Sequence, residues 1–176
     1  MKKVSFFRSI HIKFVLIYVL LILVAMQVIG VYFTDRLEAR LESNFKESVR
    51  EKISLLAFNV EEEMSKERGE NDNSLEEDIR SLLYDFSSSD ISEIQIINDR
   101  SKIIGTSDRE NQGIVGKRAT DLLIKRTLVV GLDDENVYLD ENTNERIWVL
   151  ATPIKKNDKV IGAIYLVATI ENVYEQ

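Results

Sequence analysis

From Phe14 to Phe33 the chain reads FVLIYVLLILVAMQVIGVYF, a run with no charged side chain and Gln27 as its only strongly polar one. A helix of ~20 residues rises ~30 Å, the thickness of a bilayer's hydrocarbon core, and bonds its own backbone where no water can. The run is therefore expected to cross a membrane as a helix over residues 14–33. A cleaved signal peptide would carry a shorter apolar stretch and a small-x-small cleavage site, but this run leads into Tyr32, Phe33 and Thr34. A core helix of this length keeps a polar face, and an interfacial helix keeps a strongly charged one.

Residues 1–13 carry Lys2, Lys3, Arg8 and Lys13 and no acid. The positive-inside rule then places that basic segment in the cytoplasm and everything from residue 34 onward outside. Tyr18, Tyr32 and Phe33 lie toward the two ends of the run, where aromatic rings favour the interface. Gln27 is of a type that can hydrogen-bond across a pair of membrane helices.

Of 23 basic and 30 acidic residues, four basic ones precede the anchor, so 19 face 30 beyond it and that part has a net charge of −11. Such a domain repels phosphate backbones, which argues against a nucleic-acid ligand. The chain has no cysteine, which excludes disulfides, thiolate metal sites and cysteine nucleophiles.

Beyond the anchor, Leu37, Leu41, Phe45, Val49, Ile53, Leu56, Val60 and Met64 recur every three or four residues among charged neighbours. This spacing predicts a long juxtamembrane amphipathic helix over residues 34–68 that continues the anchor. Arg68-Gly69 and the polar run to Asn73 stop it. Ser74 then offers a cap, with Glu77 at the capping-box position, for a second helix from Leu75 to Phe86.

The period then changes to alternating and β-branched. Strands are expected over Ile91 to Ile97 and Lys102 to Thr106, joined by the turn residues Asn98 to Ser101. Gly113 and Gly116 mark a looser stretch, followed by an apolar segment, Ala119 to Val130, that is helical at its start. Three more strands, Asn136 to Asp140, Arg146 to Ile154 and Val160 to Ala168, are separated by turn chemistry at residues 142–144 and 156–158. The expected fold class is α+β: a five-stranded, mostly antiparallel sheet over residues 74–169, covered by the helices that precede it. Ile170, Val173 and Tyr174 have helical spacing, so residues 170–176 are expected to start a helix returning to the membrane.

Little in this pattern carries chemistry. Ser43 and Lys46 match S-x-x-K, but lack the S-D-N and K-T-G partners of the enzymes that use it. His11, the one histidine, has no base, nucleophile or metal ligand near it in sequence. Asp133, Asp134, Glu135, Asp140 and Glu141 form an acidic cluster of the kind hard cations favour, but without the EF-hand pattern a solvated face is its default reading. Period two places Arg146, Trp148, Leu150 and Thr152 on one face, so Arg146 and Trp148, with Tyr138 from the neighbouring strand, are the ligand candidates; core packing is the competing explanation. No catalytic motif is present, and no catalytic, cofactor or metal residue is assigned.

The run HIKFVLIYVLLILVAMQVIGVYFTDRLE, with NFK shortly after it, resembles the N-terminus of the WalK (YycG) family of sensor histidine kinases of low-GC Gram-positive bacteria. The segments EIQIINDRSKIIGTS, RIWVLATPI and KVIGAIYLVATIENVYEQ are similar to the sheet of that family's extracellular PAS-like (Cache) domain. The resemblance implies a homodimeric receptor of two-component signal transduction, its Cache domain held between two membrane helices. It further implies a HAMP linker, a cytoplasmic PAS domain and a kinase core using ATP and Mg²⁺, none of whose catalytic residues falls on a position here. The response regulator WalR, control of cell-wall metabolism, and accessory membrane proteins of the YycH and YycI type follow from the same resemblance. The rival readings are a single-pass adaptor or wall-binding protein without a kinase, and an anchored hydrolase acting through the acidic cluster.

Overall fold

A computed structural model of the chain describes residues 10–66, 74–86 and 91–170. Lys2, Lys3, Arg8, the helix stop at Arg68-Gly69 and residues 171–176 of the expected return helix lie outside them. The chain divides between Ser43 and Asn44 into two compact units.

The first helix, α1 (Ile10–Ser65), is unbroken. In the first unit its apolar side chains from Phe14 to Phe33 are all exposed, with Tyr18 and Phe33 at 72% and 67%. A helix of this length and apolarity is sufficient to cross a membrane. In the second unit the same helix is amphipathic, as the three- and four-residue spacing predicts: Val49, Ile53, Leu56 and Val60 are buried. Each contributes ~1.5–3 kcal/mol of transfer free energy to the hold on the sheet.

The second helix, α2 (Ser74–Phe86), has Glu76 and Glu77 in its first turn, where carboxylates complement the helix dipole, and buries Ile79 and Leu83. The sheet comprises β1 (Ile91–Asn98), β2 (Ile103–Thr106), β3 (Asp134–Leu139), β4 (Arg146–Lys156) and β5 (Lys159–Thr169) in the order β2-β1-β5-β4-β3, every pairing antiparallel. Lys102, expected to begin β2, instead pairs with Arg118 in an isolated bridge.

Two further expectations are corrected. The segment Ala119 to Val130 is not helical at its start. Ala119 is buried beside β2, and the helix, α3 (Leu122–Val130), begins only after Asp121 turns extended and accepts a hydrogen bond from the Leu123 N–H. Gly131 ends it at φ 71°, in the left-handed region that glycine enters without strain.

The second correction follows from the first. The helices preceding the sheet cover only one of its faces, where Ile94, Ile96, Trp148, Leu150, Ile164 and Leu166 pack against α1 and α2. The other face is covered by α3 and the loop before it: Ile97, Ile103, Ala119 and Ile124 form one cluster there, and Leu123, Ile147, Val149 and Ala151 a second. The sheet is therefore buried on both sides, which is why β4 reads as a continuous apolar run rather than a clean alternation.

Candidate functional site

The three ligand candidates do not converge. Trp148 is fully buried on the α1 face of β4. Arg146 lies on the same face, two residues away. Tyr138 pairs with Ile147, which belongs to the α3 face, so its side chain projects from the opposite side of the sheet and is 46% exposed.

Trp148 instead ties the sheet to α1. Its indole N–H donates to Glu135 Oε2 at 2.7 Å, and Arg50 Nη2 on α1 pairs with the same oxygen at 2.7 Å. The Arg50 guanidinium and the Lys46 ammonium each stand 5.6 Å from the ring centroid, and Phe45 meets the ring edge-on at 6.2 Å. Ring burial dominates the energetics, because Arg50 and Glu135 are about two-fifths exposed and such pairs are worth only ~0.2–1 kcal/mol. A double-mutant cycle of Arg50→Ala and Glu135→Ala should accordingly return a coupling below ~1 kcal/mol that weakens with salt. A coupling above ~2 kcal/mol in urea unfolding would overturn this ranking.

The acidic cluster is also drawn into structure. Asp134 accepts from Arg126 Nε at 2.9 Å, and Asp140 Oδ1 accepts from the Asn142 N–H at 2.8 Å in the β3–β4 turn. Among the described residues no three His, Cys, Asp or Glu side chains converge on a point where a metal ion could sit.

The opposite face holds the more open chemistry. An open cleft of about 240 Å³ lies between β1, β2 and β5 and the segment leading into α3. Its apolar floor is Ile103, Ile114 and Ile124; Gln95, Arg118, Thr120, Asp121 and Tyr165 supply the polar wall. Tyr165 donates its hydroxyl to Asp121 Oδ2 at 3.1 Å, while the other oxygen of that carboxylate caps α3. Burial, then the negative charge and hydrogen bond of Asp121, push the Tyr165 phenol well above its usual range. It therefore stays protonated and keeps donating at neutral pH. Beside it on β1, Gln95 donates to Glu93, which also accepts from the Thr106 hydroxyl at 3.0 Å.

No residue of this cleft was singled out by motif, because its members come from β1, β2, β5 and the loop, up to 70 residues apart from Gln95 to Tyr165. One signal was present. Asp121 followed by a helix former and closed by Gly131 is a cap-to-stop signature, and a capping carboxylate at a sheet face is a place to look. The furrows along Gln27 to Tyr32 and Tyr32 to Arg40 lie on the bare surface of one helix and enclose nothing.

The family described as the WalK sensor protein kinase Cache domain matches residues 78–168. Sensor histidine kinase WalK of Bacillus subtilis (strain 168) is 37% identical over 179 residues, and sensor protein kinase WalK of Staphylococcus aureus (strain JH9) is 33% identical; each alignment covers 100% of this chain and 29% of the relative. The chain thus spans under a third of the length of these relatives. Among solved structures, the ligand-binding domain of the Campylobacter jejuni chemoreceptor Tlp3 in complex with L-norvaline superposes with a TM-score of 0.58 at 12% identity, covering 80% of this chain and 57% of that one. The ligand-binding domain of the Pseudomonas aeruginosa PAO1 amino-acid chemoreceptor PctC in complex with GABA gives 0.53 at 13% identity, covering 81% and 62%. At this identity the likeness concerns the fold alone: a helix-backed, antiparallel sensory sheet.

Proposed function

This chain belongs to the WalK family of sensor histidine kinases and carries its Cache sensor domain, and from that premise we propose that it is the extracytoplasmic input region of a homodimeric two-component receptor. The N-terminal segment lies in the cytoplasm, α1 crosses the bilayer, and the sheet domain stands outside. Beyond Gln176 a second membrane helix leads to a kinase core that uses ATP and Mg²⁺ and passes a phosphoryl group to a response regulator of the WalR type. Accessory membrane proteins of the YycH and YycI type and control of cell-wall metabolism are part of the same proposal.

One observation supports transmission in particular: the helix that contains the apolar run also buries Val49, Ile53, Leu56 and Val60 in the core of the sensor sheet. A change at the sheet then displaces side chains packed on that helix, whereas a segment without such packing would absorb it.

The test uses the full-length protein in membrane vesicles. Leu56→Asp places a charge in that packed seam and should change autophosphorylation at least about threefold at an unchanged amount of receptor in the vesicles. Unchanged autophosphorylation would separate the sheet from the output. For topology, the 176-residue chain carrying Asn142→Cys has a single thiol, because the parent has none. A membrane-impermeant maleimide should label it in intact cells; labelling only after lysis would reverse the orientation.

A further inference from the structure

Two helix stripes, one on each side of the sheet, expose apolar side chains that the fold leaves uncovered. On α3, Leu122 and Val129 lie on the face opposite the buried Leu123, Ile124 and Thr127; at 86% exposure Val129 is the barest large hydrophobic among the described residues. Lys125 and Arg126 stand between them. Arg126 is tied to Asp134, and Lys125 makes no ion pair among the described residues. On α1, Leu55 and Phe58 are exposed, turned away from the sheet-facing Ile53, Leu56 and Val60. Glu51 and Glu62, exposed and likewise without an ion pair among the described residues, bracket them at i, i+4, i+7 and i+11 on one helix face.

The stripes match in charge and in spacing. Residues 111–132 carry four basic side chains against one acid, Asp121, whereas residues 35–90 carry 16 acids against 8 basic side chains. The sheet thus separates acidic helices from a basic one. Lys125 lies three and four residues from Leu122 and Val129, and Glu51 and Glu62 each lie four residues from Leu55 and Phe58. All these offsets are ~5–6 Å along a helix axis, so seating Leu122 or Val129 on Leu55 and Phe58 brings Lys125 level with a carboxylate. Within one copy the sheet lies between the stripes and keeps them apart. Pairing either stripe with the same stripe of another copy brings only like charges together, which disfavours a two-fold contact through it.

We propose that the α3 stripe of one copy docks on the α1 stripe of a second copy in the same membrane, Leu122 and Val129 against Leu55 and Phe58, with Lys125 paired to Glu51 or Glu62. The contact joins unlike surfaces, so every copy keeps a stripe open to the next, and receptors assemble into lateral rows or rings instead of closed pairs. Anchoring in one bilayer raises the local concentration at which so small a contact forms. This contact is distinct from the homodimer proposed above and takes from that reading only the shared anchor.

The parent chain has no cysteine, so the contact is read by disulfide cross-linking in proteoliposomes that hold two 176-residue chains with tags of different size, one with Val129→Cys and the other with Leu55→Cys. Oxidation with copper phenanthroline should give the mixed disulfide at least about fivefold over either same-site product, and over a control pair in which Asn142→Cys replaces Val129→Cys. Adding Lys125→Glu to the first chain should lower the mixed product at least about threefold, and Glu51→Lys with Glu62→Lys in the second should restore it, all with unchanged circular dichroism spectra. The assignment is overturned if a same-site product dominates, if the mixed product does not exceed the control, or if charge reversal leaves it unchanged or goes without rescue. Flotation of the chains with the vesicles reports the anchor independently, so failure of the contact and failure of the anchor are told apart.

Discussion

Replacing Trp148 with alanine should lower the unfolding free energy of the sensor domain by about 4 kcal/mol, the largest loss expected from any single side chain here. The ring is fully buried between β4 and α1, with Phe45 in edge-to-face contact and two cations near its centroid. An aromatic of this size removes ~150–250 Å² from water, and its deletion leaves a cavity that flanking helix and strand can close only in part. Against a total of ~5–15 kcal/mol for a domain, that loss is a third or more of what holds it folded.

Trp148→Phe separates ring burial from the hydrogen bond. It keeps most of the apolar area but removes the donor to Glu135, whose carboxylate remains paired with Arg50 at a partly exposed site, so it should cost only ~1 kcal/mol. The two variants are compared by urea unfolding of the chain in nanodiscs, followed by far-ultraviolet circular dichroism. If Trp148→Ala moved the unfolding free energy by less than ~1 kcal/mol, the indole would not anchor α1 to the sheet. The transmission argument built on that packing would fall with it.

How far the sequence foretold this arrangement depended on how local each signal was. The apolar run and the spacing from Val49 to Val60 are carried within one helix, and both are legible because a 3.6-residue period needs no partner to be recognised. The strands were found to within two residues for the same reason. Which face each strand turns to which helix is a different kind of fact. Tyr138 and Trp148 are both ligand candidates from adjacent strands, but the pairing of Tyr138 with Ile147, rather than with Trp148, puts them on opposite sides of the sheet. A register shifted by one residue would have reversed that outcome, and nothing within β3 or β4 alone fixes it.

The cleft illustrates the same limit. The bond from Tyr165 to Asp121 joins residues 44 apart, and neither has a neighbour in sequence that announces the other. The helix α3 is legible from its caps, Asp121 and Gly131, and counting Ala119 into its apolar run starts it too early; Ala119 is buried with Ile103 of β2, ahead of the cap. Apolar residues before a capping aspartate belong to whatever precedes the helix, and the cap is the better boundary.

A close approach of one strand's backbone to the next supplies the second large effect. Gly162 on β5 stands beside β1 so that a β-carbon added there would lie 2.5 Å from the Ile97 carbonyl oxygen, with Met64 at 3.3 Å and Ile154 at 3.5 Å behind it. Side chains can rotate away from such a contact, but a carbonyl held in a ladder can retreat only by parting β1 from β5, the central strand of the sheet. Gly162→Ala should therefore destabilise the domain by about 3 kcal/mol, at the upper end for overpacking by one methyl group. Gly113→Ala adds the same methyl where nothing lies within 4 Å and should change stability by no more than ~1 kcal/mol, in the stabilising direction through lost freedom of the unfolded chain. Equal unfolding midpoints for the two variants would mean that β1 and β5 do not approach as closely as the register requires. The seam that joins α1, through Met64, to the centre of the sheet would then be looser than a relay between sheet and helix can be.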